Sequence, residues 1–450
     1  MTNQSNGLYH GGVYDHEDAL KTGCGLILAL ILVFSGMTAI GEDRDEKNDW
    51  VEQALNAFDI QDYETSLYYF TLLADAGDPH AQYMTASLYF YGWGTDQDFE
   101  KAAEYARMSA DQGIAASQSL LAHMYLNGLG VEQDIAKAAE LNQLAADGGD
   151  VQAQNALGWM YDNGIGVEQD YVKAKEFYQL AADQGYPSAQ VNLGAMYFAG
   201  LVVEQNYEKA AEYYQLAADQ GDAKGQVNLG WMYENGFGAE QDYEQAAEYY
   251  QLAADQGNPD AQTNLGILYE DGNGVPQSYE TAAAYYQLAA EQGHPVAQTS
   301  LGLLYEYGYG VPQSYEEAAR YYQMAADQGF AYGQARLAQL YEFGDGVEQS
   351  SETSLKYYQL AADQGDSMGQ WGMGKAYQFG VGVDVDYVKA AEYYQLSADQ
   401  EDPDGLECLG YLYLEGLGVE QSLEKAIELY ELAAERGSEE AQRQLLVLGQ

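Results

Sequence analysis

Apolar and polar residues follow a helical period along most of the chain, in pairs of short segments. The second segment of residues 189–224 has apolar side chains at spacings i, i+3, i+4, i+7 and i+8, namely Ala210, Tyr213, Tyr214, Ala217 and Ala218. This spacing predicts a helix with one apolar face. The first segment starts near residue 189 and carries Leu193, Met196 and Tyr197, which predicts a second helix.

The helix pair recurs every 36 residues. The recurrence is marked by the second glycine of a G-x-G turn, with Val202 at the one place where it is missing: Gly94, Gly130, Gly166, Gly238, Gly274, Gly310, Gly346, Gly382 and Gly418. Ten full units cover residues 81–440. We interpret residues 42–80 as a degenerate N-terminal repeat that caps the array and residues 441–450 as a C-terminal cap.

One polar residue precedes the second helix of every unit. It is Asp, Asn or Ser throughout: Asp98, Asp134, Asp170, Asn206, Asp242, Ser278, Ser314, Ser350, Asp386 and Ser422. These side chains can accept a hydrogen bond from the unpaired amides of the first helical turn, so we predict that they are N-caps.

A glycine also recurs inside the first helix, as Gly194 and its equivalents. Because glycine in a helix interior costs about 1 kcal/mol, we expect another backbone to approach closely there. A tyrosine recurs three residues later, as Tyr197, and we interpret that whole set as structural, because packing between neighbouring units holds such arrays together.

The unit closely resembles the Sel-like repeat, a relative of the tetratricopeptide repeat. It reads A-x-x-x-L-G-x-x-Y, then G-x-G-V, then K-A-x-x-x-Y-x-x-A-A-x-x-G, and the resemblance covers residues from about 50 to 445. It implies an all-α fold, a right-handed α-solenoid of two-helix repeats. It also implies a non-enzymatic adaptor that holds other proteins, often in bacterial envelopes. The cysteine pairs of one secreted branch of the family are missing here.

The charge balance excludes some partners. The chain has 71 acidic and 18 basic side chains, a formal net charge of −53. Nucleic acid and anionic lipid are held mainly by Lys and Arg, so we expect no nucleic-acid binding. A protein or peptide partner with a basic patch fits this charge, and we expect a monomer.

Residues 1–41 differ from the repeats. An apolar run at residues 25–41 is at the lower length limit for a membrane-spanning helix and ends in Ala39-Ile40-Gly41, a pattern that signal peptidases accept. We expect a cleaved export signal and a periplasmic or extracellular protein. An uncleaved membrane anchor and a buried apolar helix remain alternatives, since the preceding residues are acidic rather than basic.

The sequence offers no catalytic, metal-binding or cofactor-binding constellation. The five histidines lie far apart, and the stretch Gly369–Lys375 that imitates a phosphate-binding loop is followed by Ala376, where Ser or Thr would hold magnesium. Carboxylate pairs recur in every unit, whereas catalysis needs one perturbed pair. We therefore expect no enzyme and no cofactor. The alternative is a cell-wall or glycan-associated hydrolase, or its regulator, whose tryptophans and carboxylates contact sugar.

Three positions of the first helix, at i, i+4 and i+7, vary while their neighbours repeat. The spacing places them on one helix face. We call the following set the candidate groove face and expect it to bind the partner: Phe90, His123, Trp159, Phe198, Trp231, Glu234, Trp371, Lys375 and Tyr411. Exposed tryptophan is favoured where proteins bind each other, and we expect these tryptophans to be replaceable without loss of stability.

One unit boundary departs from the pattern. Glu401 stands where the other boundaries have a glycine, and the Ala-Gln pair that starts most units is absent after it. A non-glycine residue in the left-handed region costs about 1–2 kcal/mol. We therefore expect the boundary before the last unit to be the weakest junction of the array.

Overall fold

The computed structural model describes residues 44–449, with side chains described from residue 47 onward. The predicted export signal or anchor lies outside these residues. Contacts divide the chain into two compact units that meet at the Asp242–Tyr243 bond. Within the described residues all regular structure is α-helical, and no helix there is long and apolar enough to span a bilayer.

The first unit contains eleven described helices. They are α1 (Arg44–Asp59), α2 (Tyr63–Asp75), α3 (Pro79–Tyr91), α4 (Phe99–Ala110), α5 (Ala115–Asn127), α6 (Ile135–Asp147), α7 (Val151–Asn163), α8 (Tyr171–Asp183), α9 (Pro187–Ala199), α10 (Tyr207–Ala218) and α11 (Ala223–Asn235). Each of the helices α1 to α10 packs against the next helix along the chain.

The second unit continues the same series of helix pairs through its described residues. Its helices are α12 (Tyr243–Asp255), α13 (Pro259–Asp271), α14 (Tyr279–Glu291), α15 (Pro295–Tyr307), α16 (Tyr315–Asp327), α17 (Ala331–Phe343), α18 (Ser351–Asp363), α19 (Ser367–Phe379), α20 (Tyr387–Ala398), α21 (Pro403–Glu415), α22 (Leu423–Glu435) and α23 (Glu439–Val447). The first helices of adjacent repeats also contact each other, as α17 does with α19 and α19 with α21.

The predicted N-caps are confirmed at nine of the ten positions. In each of the nine, the side chain accepts a hydrogen bond from an amide of the first turn, as Asp98 does from Lys101. The amide of the cap residue in turn donates to the carbonyl of the recurring first-helix tyrosine, for example Asp98 to Tyr89 at 3.0 Å. The cap therefore starts one helix and ties it to the end of the previous one.

The second glycine of the G-x-G turn is required by both conformation and space. Gly346 has a φ of +66°, and a Cβ on it would lie 2.3 Å from the carbonyl carbon of Tyr315. Val202 occupies the equivalent position with a φ of 52°, and Glu401 has a φ of 59° at the helix-ending position. Both residues thus stand in the left-handed region that the sequence pattern predicts for them.

Glycine is needed inside the first helix for a different reason from the one expected. A Cβ on Gly302 would lie 2.5 Å from the ring of Tyr322, and one on Gly194 would lie 2.6 Å from the ring of Tyr214. The expectation of a close backbone is wrong, because a buried tyrosine ring takes that space. This tyrosine follows the glycine by twenty residues, on the second helix of the same repeat.

From α8 onward, these tyrosines and small alanines form the core of the repeats. Tyr178, Tyr214, Tyr286, Tyr322, Tyr394 and Tyr430 are fully buried. A buried glutamine connects neighbouring repeats, since Gln298 donates to the carbonyl of Ala290 in the preceding repeat at 3.2 Å and accepts from Gln328 of its own repeat at 2.8 Å. Each repeat is thereby held by the one before it, as in other repeat proteins.

Candidate functional site

The candidate groove face consists of three positions on the first helices, and the structure places most of its side chains between neighbouring repeats. Phe90 is buried, Tyr411 is 43% exposed, and the other seven are half-buried. Large parts of this face are therefore occupied by contacts within the protein.

The tryptophans are packed rather than freely exposed. Trp159 packs against two adjacent hydrophobic clusters, and Trp371 packs against the cluster formed by the last repeats. Trp231 contacts Phe198, with ring centroids 5.4 Å apart. We therefore now expect the triple replacement to lower stability, because each removal would leave apolar neighbours without their packing partner.

Trp231 belongs to a closed aromatic cluster. Phe198 lies 4.9 Å from Tyr207 and 5.4 Å from Phe237, and Trp231 lies 5.2 Å from Phe237. Tyr207 and Phe237 complete the cluster at 5.0 Å. We name this set, Phe198, Tyr207, Trp231 and Phe237, the aromatic cluster. Its four rings fill the space between α9, the start of α10 and the turn after α11.

The third variable position accepts a hydrogen bond from a buried tyrosine in several repeats. The carboxylates of Glu270 and Glu306 each accept a hydrogen bond at 2.7 Å, from the hydroxyls of Tyr286 and Tyr322. Glu342 accepts from Tyr358 at 3.0 Å. Burial raises the pKa of the Glu270 carboxyl, and the Tyr286 hydroxyl opposes that shift. The carboxylates at this position therefore pair with buried tyrosine hydroxyls. The sequence pattern alone did not predict this pairing, although the two residues are always sixteen apart.

Two basic side chains add ion pairs to this row in the second unit. A nitrogen of the Arg336 guanidinium lies 2.7 Å from Glu306 and 3.1 Å from the Tyr307 hydroxyl. The Lys375 ammonium lies 2.6 Å from Glu342 and 4.3 Å from the centre of the Trp371 ring. Both pairs are largely shielded from solvent, so they are screened less by salt than surface pairs.

The histidines on and near this face have structural roles. His123 packs against Phe90 at 5.7 Å, and burial lowers the pKa of its imidazole to about 4. His294 lies 3.0 Å from both Thr263 and Asp260, an arrangement similar to a catalytic triad. The Thr263 hydroxyl is buried, however, and donates to the carbonyl of Pro259 at 2.8 Å, so it is not placed to attack a substrate. His294 caps α15 instead.

Metal-binding groups of three or more His, Cys, Asp or Glu side chains do not occur in the part of the chain that the structure describes. Cys408 is half-buried on α21. Burial raises the pKa of its thiol to about 11, so this thiol is protonated at neutral pH and a weak nucleophile.

Comparisons with known proteins agree with this architecture. A family model described as Sel1 repeat matches residues 59–402 in ten consecutive stretches and residues 409–438 in an eleventh. No curated protein sequence matches the chain significantly.

Two solved structures are similar to the chain. One is c5321, a protective antigen present in uropathogenic Escherichia coli strains displaying an SLR fold. It is 31% identical in sequence, the match covers 89% of this chain and 90% of that chain, and the TM-score is 0.67. The other is a Sel1 repeat protein from Oxalobacter formigenes, which is 31% identical in sequence. The match covers 54% of this chain and 95% of that chain, with a TM-score of 0.50. Together with the packed helix pairs, these similarities confirm an all-α repeat solenoid.

Proposed function

The chain belongs to the Sel1 repeat family, and from this premise we propose that it is a non-catalytic scaffold that binds a protein or peptide carrying a basic patch. Proteins of this family typically hold other proteins together, and their fold is typically non-catalytic. The partner is proposed to contact the candidate groove face.

The net charge is the observation that carries this proposal. At −53 the chain surrounds itself with a negative potential that attracts basic surfaces and repels acidic ones. Complementary charge speeds encounter and rejects wrong partners more than it adds affinity. The contacts of the bound state must then come from exposed side chains such as Tyr411 on α21.

The engagement of the carboxylates supports the non-catalytic part. Glu270, Glu306 and Glu342 are bound to buried tyrosine hydroxyls, and two of them also to Arg336 or Lys375. A hydrolase needs one acid poised to give a proton and one base poised to take it. Carboxylates that are hydrogen-bonded to core tyrosines are not available as a general acid or a general base.

Export is part of the proposal. The apolar run at residues 25–41 with its Ala39-Ile40-Gly41 ending supports it. The E. coli relative is described as a protective antigen, which agrees with a protein placed outside the cytoplasm.

Site-specific crosslinking tests the proposal. A photoreactive amino acid at Tyr411, on the first helix α21, is compared with one at Leu396, which is 49% exposed on the second helix α20. We expect position 411 to crosslink one basic protein at 0.1 M salt and to lose it at 1 M salt, where the screening length falls from about 10 Å to about 3 Å. Equal crosslinking from position 396, or a crosslink that salt leaves unchanged, would contradict the proposal.

A further inference from the structure

A shallow recess opens on the second unit between α17, α18 and α19. Its empty space, including the open mouth, is about 250 Å³, and its walls include Glu342, Ser351, Lys375 and Val381. Ser351 is exposed at the start of α18, so the recess is accessible from solvent.

The same four repeat positions form the aromatic cluster in the first unit. Counting in steps of 36 residues, Glu342 corresponds to Phe198, Ser351 to Tyr207, Lys375 to Trp231 and Val381 to Phe237. Where the first unit fills the space with four rings, the second has two charged groups, a serine and a valine. The largest difference in side-chain size is at the Tyr207 position, where Ser351 replaces a tyrosine.

Other repeats show where the missing ring would lie. The ring at this position contacts the middle residue of the G-x-G turn of the following repeat, with Tyr279 stacked 5.0 Å from Tyr309 and Tyr207 tilted 5.0 Å from Phe237. At the start of α18 this position is Ser351. The turn residue that corresponds to Tyr309 and Phe237 is then Val381, which lines the recess. The empty space is therefore the place that a tyrosine ring takes elsewhere in this protein.

The backbone around the recess is also more open. A Cβ on Gly346 would lie 2.3 Å from the Tyr315 backbone, whereas a Cβ on the equivalent Gly382 would lie 3.5 Å from its nearest neighbour, the Leu355 side chain. The turn after α19 thus stands away from the start of α18. This turn therefore leaves more room beside the start of α18 than the turn after α17 leaves beside the start of α16.

A polar partner for a phenol is already in place. In another repeat the amide nitrogen of Gln169 donates both to the carbonyl of Asp162 at 2.7 Å and to the hydroxyl oxygen of Tyr171 at 2.9 Å. Gln349 corresponds to Gln169 and donates to the carbonyl of Glu342 at 2.8 Å. A side-chain amide nitrogen carries two N–H groups, so Gln349 can make the second bond to a phenol oxygen in the recess.

We infer that this recess is an anchor site for a tyrosine side chain of a partner polypeptide, whose ring takes the place left by Ser351 and whose phenol oxygen accepts a hydrogen bond from Gln349. The inference rests on the proposed function, since it supplies one specific contact to a scaffold that otherwise attracts its partner by charge. Aromatic anchors in small pockets commonly dominate protein interfaces.

Binding of p-cresol and of N-acetyl-tyrosinamide to the full chain, measured by saturation-transfer NMR and calorimetry, tests the site without any partner. We expect both probes to bind the natural protein and Ser351→Ala equally. Ser351→Tyr should weaken binding at least tenfold, because its own ring fills the recess. N-acetyl-phenylalaninamide should bind more weakly than the tyrosine probe, because it lacks the phenol oxygen.

Val381→Phe provides a second filled variant, since it restores the residue that Phe237 supplies in the first unit. Circular dichroism and melting establish that each variant is folded. Failure of the probes to bind the natural protein, or unchanged binding to both folded filled variants, would overturn the inference. The crosslink from position 411 does not depend on this recess, so its persistence in such a case would leave the proposed function standing.

Discussion

At the scale of single residues, the repeat is organised around one buried tyrosine and the two positions that serve it. The glycine twenty residues before it makes room for its ring, and where the residue sixteen before it is a carboxylate, as Glu306 is for Tyr322, that residue binds its hydroxyl. The periodic pattern predicts that these positions matter. It does not predict that they meet, because their contact depends on how the two helices of a repeat cross.

Tyr214 and Tyr322 provide a matched pair to measure the acceptor. The Tyr214 hydroxyl is buried with no hydrogen-bond partner in the described part of the chain, since Phe198 stands at the acceptor position, whereas Tyr322 donates to Glu306. A bond to a charged group contributes about 1.5–3 kcal/mol, and a buried unpaired group costs about 1–3 kcal/mol. We therefore expect Tyr322→Phe to lower the free energy of unfolding by about 2 kcal/mol and Tyr214→Phe to leave it unchanged or raise it. Urea denaturation measures both, and equal losses would show that the hydroxyls contribute nothing specific.

At the scale of helices, the boundaries between repeats decide local stability. Glu401 in the left-handed region costs about 1–2 kcal/mol. The structure adds a partner that the sequence pattern did not predict, because Arg436 of the next repeat forms an ion pair with the Glu401 carboxylate. Both side chains are at least half exposed, and such pairs contribute about 0–1 kcal/mol. The backbone strain outweighs the ion pair, so this junction stays the predicted weak point.

Limited proteolysis tests that ranking of the boundaries. We expect the first cut in the repeats between Gln400 and Leu406, and Glu401→Gly should slow it by relieving the left-handed strain. Val202→Gly is the matched control, because Val202 has the same backbone conformation at a turn with a φ of 52°. If Val202→Gly instead removes the first cut, the weaker site lies there. If Glu401→Gly speeds the cut at 400–406, the ion pair with Arg436 matters more than the strain.

At the scale of the whole molecule, the sequence predicts the architecture far better than the binding surface. A repeat of constant length with caps and turn glycines specifies helix pairs stacked on their neighbours, and each local signal agrees with the others. The binding surface depends on which side chains the neighbouring repeats leave uncovered. Trp231 is the instructive case, since its position favours an exposed anchor, and Phe198 and Phe237 cover it.

Hydrogen exchange of the full chain, with and without the non-covalently bound partner that crosslinking identifies, tests whether the first helices present the binding face. We expect the partner to slow amide exchange in α19 and α21, the first helices around Lys375 and Tyr411, and we expect this protection to fade as salt is raised. The second helices α20 and α22 serve as the internal control and should exchange at their unbound rates. Protection confined to α20 and α22 would place the binding face on the second helices, and protection of α19 and α21 that salt does not reduce would rule out a partner attracted by charge.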